Sequence, residues 1–257
     1  MSPINVDVGI IGGSGFYELF GLENKVEERI DTPFGVVKID IGELYGKKIA
    51  FLSRHGKGHK YPPHKINYRA NAFAMFKLGA NHVLATNAVG SLRENIPPGS
   101  IVIPDQIIDF TKNRVYTFFD GEFKIKMKDG REKGGVVHTD VTEPYCNHLR
   151  EKIIKAAENL NLKIIPRGVY VCTEGPRFET PAEIKFFKMI GGDLVGMTGS
   201  PEVFLFKELE ICYATICVAT NYAAGMQARV SHEEVLELFD KIKPTIAELI
   251  KETIKLL

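Results

Sequence analysis

Short apolar runs alternate along the chain with segments in which apolar residues recur at helical spacing. Residues 36–41 and 48–52 flank a turn bounded by glycines, which predicts a hairpin. The almost wholly apolar run at residues 211–220 predicts a central strand. Further strands are predicted by the runs at residues 8–11, 82–86, 101–104, 168–172 and 194–197.

Helical patterns lie between these runs. Residues 66–78 form one, and a second opens at Glu143 and Pro144 and continues to about residue 160. Capping-box patterns at Thr180 and Ser231 predict the starts of two more helices, the last of which carries an apolar stripe. Strands that alternate with helices predict an α/β fold with a largely parallel core, in one domain over residues 1–257. The polar, Lys-rich residues 111–135 predict an exposed excursion that could contain a small hairpin.

Composition excludes several classes of protein. Of the 257 residues 33 are basic and 32 acidic, and this near balance argues against nucleic acid or a membrane surface as a partner. No apolar run is long enough to span a bilayer, and the N-terminal residues do not resemble a signal peptide. Cys146, Cys172, Cys212 and Cys217 form no CxxC pair, which favours reduced thiols in the cytoplasm over a disulfide framework or a zinc site.

One loop concentrates basic side chains although the net charge of the whole chain is close to zero. Residues 53–65 include seven Arg, Lys or His side chains among thirteen positions. Arginine offers a two-pronged fork to a phosphate and histidine adds a donor, so an anion site is preferred to a metal site or to a solvated basic loop. The glycine-rich turn at residues 12–15 and the small, polar segments at 86–91 and 197–202 also follow predicted strands. Because ligands bind at the carboxyl ends of strands, these segments predict a single anion site.

Two other segments suit a planar heterocycle. Phe178 and Glu179 lie in one, and Asn221 and Tyr222 follow the most apolar strand. An aromatic ring can stack on a base while a carboxylate and an amide pair with its edge. The alternatives are a helix cap for Glu179 and a turn for Asn221, and His138 and His232 considered alone are typical of surface or capping histidines.

Taken together, these stretches resemble the trimeric family of purine nucleoside phosphorylases and methylthioadenosine phosphorylases over essentially the whole chain. The resemblance is carried by IGGSG (11–15), DTPFG (31–35), SRHGKGH (53–59), NYRAN (67–71), NAVGSL (87–92), DQIIDFT (105–111), EGPRFET (174–180), GMTGSPE (196–202) and ATNYA (219–223). It implies a single α/β domain with a mixed, partly barrel-like central sheet flanked by helices. It also implies a homotrimer or dimer of trimers and the reversible cleavage of purine nucleosides by inorganic phosphate, with no cofactor and no metal.

The resemblance also implies roles for individual residues. Met197 would contact the ribose, Phe178 would stack under the base, and His138 would reach into a neighbouring subunit's site. His55 and Asn221 are the expected catalytic residues. The expected phosphate ligands are Ser14, Arg54, His55, Asn87, Ala88 and Thr198, and the expected substrate contacts are Phe178, Glu179, Met197, Asn221, Tyr222, Ala223, His232 and His138.

The base-reading residues distinguish two branches of the family. The methylthioadenosine enzymes have a serine in place of Glu179 and an Asp-x-Asp in place of residues 221–223, whereas inosine- and guanosine-cleaving enzymes share the Glu and Asn seen here. A carboxylate accepts from N1–H of a 6-oxopurine and an amide donates to O6 or N7, so we expect inosine and guanosine as substrates.

The group on the 5′ carbon is less determined. The segment from Ser231 to Leu236 resembles one in the inosine- and guanosine-cleaving enzymes whose histidine meets the 5′-hydroxyl, so His232 is expected to contact a 5′-hydroxyl. Val230 and Val235 could line a methylthio pocket instead, so 5′-methylthioinosine and methylthioadenosine remain alternatives. A non-catalytic nucleotide-binding module is a further alternative. A nucleoside hydrolase is disfavoured because the calcium-binding Asp cluster near the N-terminus is absent.

Overall fold

The run after Asp7 forms the first strand of the central sheet, and all of its side chains are buried. In this computed structural model, which describes residues 5–18, 21–228 and 231–257, that strand is β1 (Val8–Gly12). The other strands are β2 (Glu23–Thr32), β3 (Gly35–Leu44), β4 (Lys47–Ser53), β5 (His82–Ser91), β6 (Ile101–Val102), β7 (Gln106–Phe110), β8 (Asp120–Lys126), β9 (Glu132–Val136), β10 (Val169–Thr173), β11 (Leu194–Gly196) and β12 (Cys212–Tyr222). The helices are α1 (Tyr68–Lys77), α2 (Asn147–Asn159), α3 (Pro181–Met189), α4 (Glu202–Glu208) and α5 (His232–Leu256), with a 3₁₀ turn at Pro63–Lys65.

The main sheet is mixed, and it branches at β5, which pairs with β1, β11 and β12. Its strand order is β2-β3-β4-β1-β5-β11-β10-β7, and β12 pairs with β5 and with β6. Strands β4, β1, β5 and β12 are mutually parallel, whereas the β2–β3–β4 meander, the β11–β5 pair and the β12–β6 pair are antiparallel. The carboxyl ends of β1, β4, β5 and β12 therefore point the same way. The chain is a single α/β domain with helices flanking this sheet, as expected.

Local signals account for the helix starts. The Asn67 side chain accepts a hydrogen bond from the backbone N–H of Ala70 at the start of α1. Thr180 and Glu183 form a reciprocal capping box at α3, and the Ser231 hydroxyl caps α5, so both predicted starts are confirmed. Helix α2 begins later than predicted because residues 143–146 remain non-helical and Cys146 takes the capping position.

Other predictions need correction. Strands β5 and β12 run on to Ser91 and Tyr222, so Asn87 and Asn221 lie within strands and not in loops after them. The segment at residues 111–135 does contain the β8–β9 hairpin, but it is not simply exposed. Phe118 is fully buried in the apolar cluster that also packs against α1 and the β2–β4 meander.

The prediction that all four cysteines are reduced thiols is wrong. Cys146 and Cys212 form a disulfide across a sequence separation of 66 residues, while Cys172 and Cys217 are free and buried. The backbone N–H of Cys146 donates to the carbonyl of Tyr213 at 2.8 Å, and this contact places the start of α2 beside the start of β12. The spacing of the cysteines along the chain does not reveal this pair, because only folding brings the two residues together. Because two of the four cysteines are oxidised, reduced thiols no longer support a cytoplasmic location.

Among the residues that the structure describes, no helix combines the length and apolar character needed to cross a bilayer.

Candidate active site

A cavity of about 390 Å³ lies at the carboxyl ends of the parallel strands. The turn after β1, the loop after β4, the ends of β5 and β12 and the segments after β10 and β11 all contribute to it, as expected for an α/β sheet. Its walls are formed by Gly13, Ser14, Arg54, His55, His59, Pro62, Pro63, Asn87, Ala88, Val89, Gly90, Pro176, Phe178, Glu179, Val195, Gly196, Met197, Thr198, Thr220, Asn221, Ala223, Ala224, His232 and Val235.

Most of the predicted site residues meet in this cavity. All the expected phosphate ligands line it, together with every expected substrate contact except Tyr222 and His138. The Tyr222 hydroxyl instead donates to the carbonyl of Glu94 at 3.1 Å, so this side chain serves the neighbouring loop. His138 follows β9 and is not part of the cavity wall. Val230, expected near the 5′ group, lies outside the described residues.

Arg54 is held rigidly at the base of the cavity. Its Nε and Nη2 each donate to the Glu202 carboxylate at 2.7 Å, and Nη1 donates to the carbonyl of Thr86 at 2.9 Å. Burial alone would lower the pKa of Arg54, but the charge of Glu202 outweighs burial and raises it above its ordinary value. The guanidinium therefore stays charged, and it has N–H groups beyond these three for a ligand. A Cβ at Gly13 would come within 2.9 Å of Nη1, so only glycine allows the first turn to approach this closely.

His55 presents an acceptor to the cavity, not the donor that the sequence suggested. Its Nδ1 lies 2.8 Å from the carbonyl oxygen of Tyr61, and because a carbonyl only accepts, Nδ1 carries the hydrogen. Burial, aided by the nearby charge of Arg54, outweighs the hydrogen bond to Tyr61 and lowers the pKa of His55 to about 3. The ring is consequently neutral, with an unprotonated Nε2.

His59 was not singled out from the sequence and belongs to the same group of rings. It stacks on His55 with ring centroids 4.2 Å apart and lies 5.3 Å from the ring of His232. The Tyr17 hydroxyl is 3.0 Å from Nδ1 of His59 and fixes its orientation. From the sequence, only the presence of three histidines within residues 53–65 could have indicated this role. The contact between His59 and His232 depends on the start of α5 packing against the loop after β4.

A chain of hydrogen bonds orients the polar groups of β5. The Thr215 hydroxyl donates to Oδ1 of Asn87 at 2.6 Å, and Nδ2 of Asn87 donates to the Thr198 hydroxyl at 2.7 Å. Because the Thr198 oxygen accepts this bond, its own hydrogen can be donated into the cavity. Nearby, the Thr86 hydroxyl accepts from the N–H of Gly13 at 3.0 Å and ties the glycine turn to the sheet.

The opposite end of the cavity combines an aromatic face with a carboxylate and an amide. Phe178 lines the cavity and is 37% exposed, so its ring is accessible to a planar ligand. Burial raises the pKa of Glu179, while a hydrogen bond from the Thr173 hydroxyl at 2.6 Å acts in the other direction. Oδ1 of Asn221 accepts from the Thr220 hydroxyl at 3.0 Å, which assigns Nδ2 as the donor end of the amide.

The capping role considered for Glu179 belongs instead to Thr180 and Glu183. Within the described parts of the chain, no group of three or more His, Cys, Asp or Glu side chains is arranged to hold a metal ion.

Comparison with known proteins places this architecture in a family. Residues 7–255 match the model of the phosphorylase superfamily. The 6-oxopurine nucleoside phosphorylase of Pyrococcus furiosus is 53% identical over 251 residues, which cover 97% of this chain and 92% of that protein. A probable S-methyl-5′-thioinosine phosphorylase of Methanopyrus kandleri is 49% identical, again over 97% of this chain and 92% of the relative.

Solved structures agree with these sequence matches. Methylthioadenosine phosphorylase from Schistosoma mansoni in complex with adenine superposes with a TM-score of 0.90 at 35% identity, covering 98% of this chain and 92% of that one. The chain therefore belongs to the phosphorylase superfamily, in the group of purine nucleoside and methylthioadenosine phosphorylases. It is a nucleoside phosphorylase, an enzyme of the pentosyltransferase class.

Proposed function

We propose that this protein catalyses the reversible phosphorolysis of 6-oxopurine nucleosides such as inosine and guanosine, giving the free base and the pentose 1-phosphate. The observation that carries this proposal is the pairing of an acceptor, Glu179, with a donor, Nδ2 of Asn221, in the same cavity as Arg54. The name and 53% identity of the Pyrococcus furiosus relative support the same substrate class.

Phosphate is the co-substrate, and its site is at the Arg54 end of the cavity. Arg54 supplies the charged fork, Thr198 a hydroxyl donor, and Ser14 and Ala88 line the space beside them. Asn87 orients Thr198 and also faces the cavity. The arrangement fits a compact dianion because several donors converge from different strands.

Cleavage of the glycosidic bond makes the sugar cationic as the base departs. A phosphate bound against the sugar supplies the nucleophile and a negative charge that stabilises this cation, so catalysis consists mainly of positioning and electrostatic stabilisation. The leaving purine accumulates negative charge, and donation from Nδ2 of Asn221 to N7 or O6 stabilises it. Phe178 stacks on the base and Met197 contacts the ribose. The unprotonated Nε2 of His55 accepts from the hydroxyl of hydrogen phosphate and so orients it.

Discrimination against adenine follows from the same two side chains. Adenine presents an N1 lone pair to the Glu179 carboxylate and an amine to the Asn221 donor, so both contacts would be mismatched. A buried mismatched polar group costs about 1–3 kcal/mol. We therefore expect inosine to be cleaved at least tenfold more efficiently than adenosine.

A second candidate substrate is 5′-methylthioinosine. Val235 is buried beside the exposed His232 at the start of α5, and both line the cavity. An apolar wall next to a histidine can accept a methylthio group as well as a 5′-hydroxyl, and the Methanopyrus kandleri relative carries the corresponding name. The 5′-hydroxyl is the favoured assignment, because His232 can hydrogen-bond it.

We also propose a homotrimer, or a dimer of trimers, in which His138 enters the cavity of a neighbouring subunit. His138 is outside its own subunit's cavity wall, and Val136, two residues earlier, is 75% exposed. An apolar side chain next to a predicted contact residue supports a subunit interface at this place.

A substrate panel tests the proposal directly. Inosine, guanosine, adenosine, methylthioadenosine and methylthioinosine are incubated with and without inorganic phosphate, and the free base and sugar phosphate are quantified. Phosphate-dependent release of hypoxanthine, faster than release of adenine, is expected. Release without phosphate would indicate a hydrolase, and binding without turnover would indicate a non-catalytic module.

Two variants refine the test. Glu179→Gln should lower kcat/KM for inosine roughly ten- to hundredfold and reduce the preference over adenosine, because an amide can donate to adenine N1. His232→Ala should impair inosine more than methylthioinosine, and equal losses would contradict the 5′-hydroxyl assignment.

A further inference from the structure

Glu179 receives a hydrogen bond from a residue outside the cavity wall. The Thr173 hydroxyl donates to Oε1 of Glu179 across 2.6 Å. Thr173 is 9% exposed and ends β10, whereas Glu179 lies in the segment between that strand and α3. The contact therefore joins the base-reading carboxylate to the rigid edge of the sheet.

The backbone at Thr173 is well supported. Its strand pairs in parallel with β7, with Thr173 opposite Phe110. The carbonyl of Thr173 accepts from Nη2 of Arg114 at 3.3 Å, and the same nitrogen donates to the carbonyl of Glu174 at 2.7 Å. Arg114 is itself buried. A hydroxyl on this backbone is consequently a fixed reference point for a carboxylate carried by a loop.

We propose that Thr173 is a positioning residue for purine selection, whose hydroxyl occupies Oε1 of Glu179 and so reserves Oε2 as the acceptor for N1–H of a 6-oxopurine. This inference rests on the proposed function. It adds a residue that touches no substrate and that acts only through Glu179.

The Thr173 hydroxyl keeps Oε2 of Glu179 available as an acceptor in both protonation states of the carboxyl group. With Glu179 ionised, Thr173 donates to Oε1. With Oε1 protonated, the hydroxyl accepts from it and can turn its own hydrogen to the carbonyl of Gly196, 3.4 Å away. In either state Oε2 remains an acceptor, which suits a 6-oxopurine and opposes the N1 lone pair of adenine.

The other charged groups around Glu179 act mainly on each other. Arg177 favours its ionised form and Glu183 opposes it. These two side chains form their own exposed two-pronged ion pair, with N–O distances of 2.8 and 2.7 Å. Thr173 therefore provides the directional contact, which these charges cannot supply.

The test compares three substitutions in the full-length protein. Thr173→Val removes the hydroxyl and keeps the branched shape, Thr173→Ala removes both, and Thr173→Ser keeps the hydroxyl. The matched control is Thr253→Val in α5, because Thr253 is also buried and its hydroxyl donates to a backbone carbonyl, that of Leu249, remote from the cavity. kcat/KM is measured for inosine and adenosine between pH 5.5 and 8.5, with thermal melting of each variant.

Thr173→Val should lower kcat/KM for inosine about tenfold, equivalent to 1.4 kcal/mol, and change that for adenosine much less. Thr173→Val should also lose more inosine activity at acid pH than wild type does, because without the hydroxyl a proton on Glu179 is no longer confined to Oε1. Thr173→Ser should retain the wild-type ratio, and Thr253→Val should alter only the melting temperature.

An unchanged inosine-to-adenosine ratio in Thr173→Val, or a Thr173→Ser variant as impaired as the valine, would overturn the inference. If Thr173→Val does not melt cooperatively, the test uses the inosine-to-adenosine ratio of kcat/KM in Thr173→Ala and Thr173→Ser instead. If the wild-type enzyme prefers inosine and the variants keep the same inosine-to-adenosine ratio, the role of Thr173 is refuted and the proposed function stands. A wild-type enzyme that prefers adenosine refutes the proposed function, and the inference falls with it.

Discussion

Replacement of Glu202 by glutamine tests the electrostatic arrangement behind the proposed phosphate site. The side chains of Arg54 and Glu202 are 0% and 2% exposed, and two N–O contacts of 2.7 Å join them. The Tyr213 hydroxyl donates to the same carboxylate at 2.6 Å. Glu202→Gln preserves the shape of the side chain but leaves the buried guanidinium without its counter-charge.

The expected loss is large because burial prevents water from replacing the missing charge. Breaking a buried pair by neutralising one partner costs about 3–5 kcal/mol, which corresponds to a fall in Tm of roughly 6–20 °C for a chain of this size. The kcat of phosphorolysis should also fall, because the guanidinium loses one of the two contacts that orient it and its unbalanced charge neutralises more of the phosphate.

The structure supplies a matched control in the exposed pair of Arg177 and Glu183, which has nearly the same geometry. Glu183→Gln should cost less than about 1 kcal/mol, because water screens the pair and glutamine can still complete the capping box at α3. Both variants are compared with wild type by urea and thermal unfolding at equal subunit concentration. A Glu202→Gln variant within 1 kcal/mol of Glu183→Gln would refute the reasoning, because burial would then have no effect on an otherwise similar ion pair.

Three further outcomes are expected. Replacing Cys146 and Cys212 together by serine should lower the free energy of unfolding by about 4 kcal/mol, because the disulfide closes a loop of 66 residues in the unfolded chain. A reducing agent should destabilise wild type and leave this variant unaffected. Phe178→Ala should raise the KM for nucleosides about tenfold or more with little change in the KM for phosphate, and parallel changes in both would contradict a stacking role. His55 has a folded-state pKa of about 3, below its unfolded value of about 6.5, so the unfolded state binds the proton first. Its contribution to stability is complete above pH 6.5 and is lost as the pH falls towards 3, so wild-type stability should decline more steeply over this range than that of His55→Asn.

Sequence patterns predicted the strands of the parallel core because each is a compact apolar run. They predicted the ends of two strands less well. Polar and small side chains, which are typical of loops, make up residues 86–91 and 220–222. Both segments nevertheless continue as strands, because Gly90 pairs with Asn221 and Ser91 pairs with Tyr222. Tertiary pairing overrides local preference there, and a single segment carries no sign of it.

The predictable part of the site consists of residues whose chemistry is unusual for their surroundings, such as Arg54 in a glycine-rich loop. Their supporting partners could not be inferred. Glu202 is 148 positions from Arg54, and Thr215 is 128 positions from Asn87, which it orients. Each partner considered alone resembles an ordinary helix or strand residue. Only the folded backbone identifies it as part of the site.

The proposed phosphate site therefore differs from the strongly basic pocket that the loop at residues 53–65 suggests. Glu202 balances the charge of Arg54, so a dianion bound there would meet oriented donors more than net positive charge. A site that neutralised the phosphate completely would bind the ground state tightly and contribute little to the cationic transition state. Because its own carboxylate offsets the guanidinium, the proposed site would leave the dianion's charge available to the sugar, which becomes cationic only as the bond breaks. The interaction then strengthens in the transition state, as catalysis by differential binding requires.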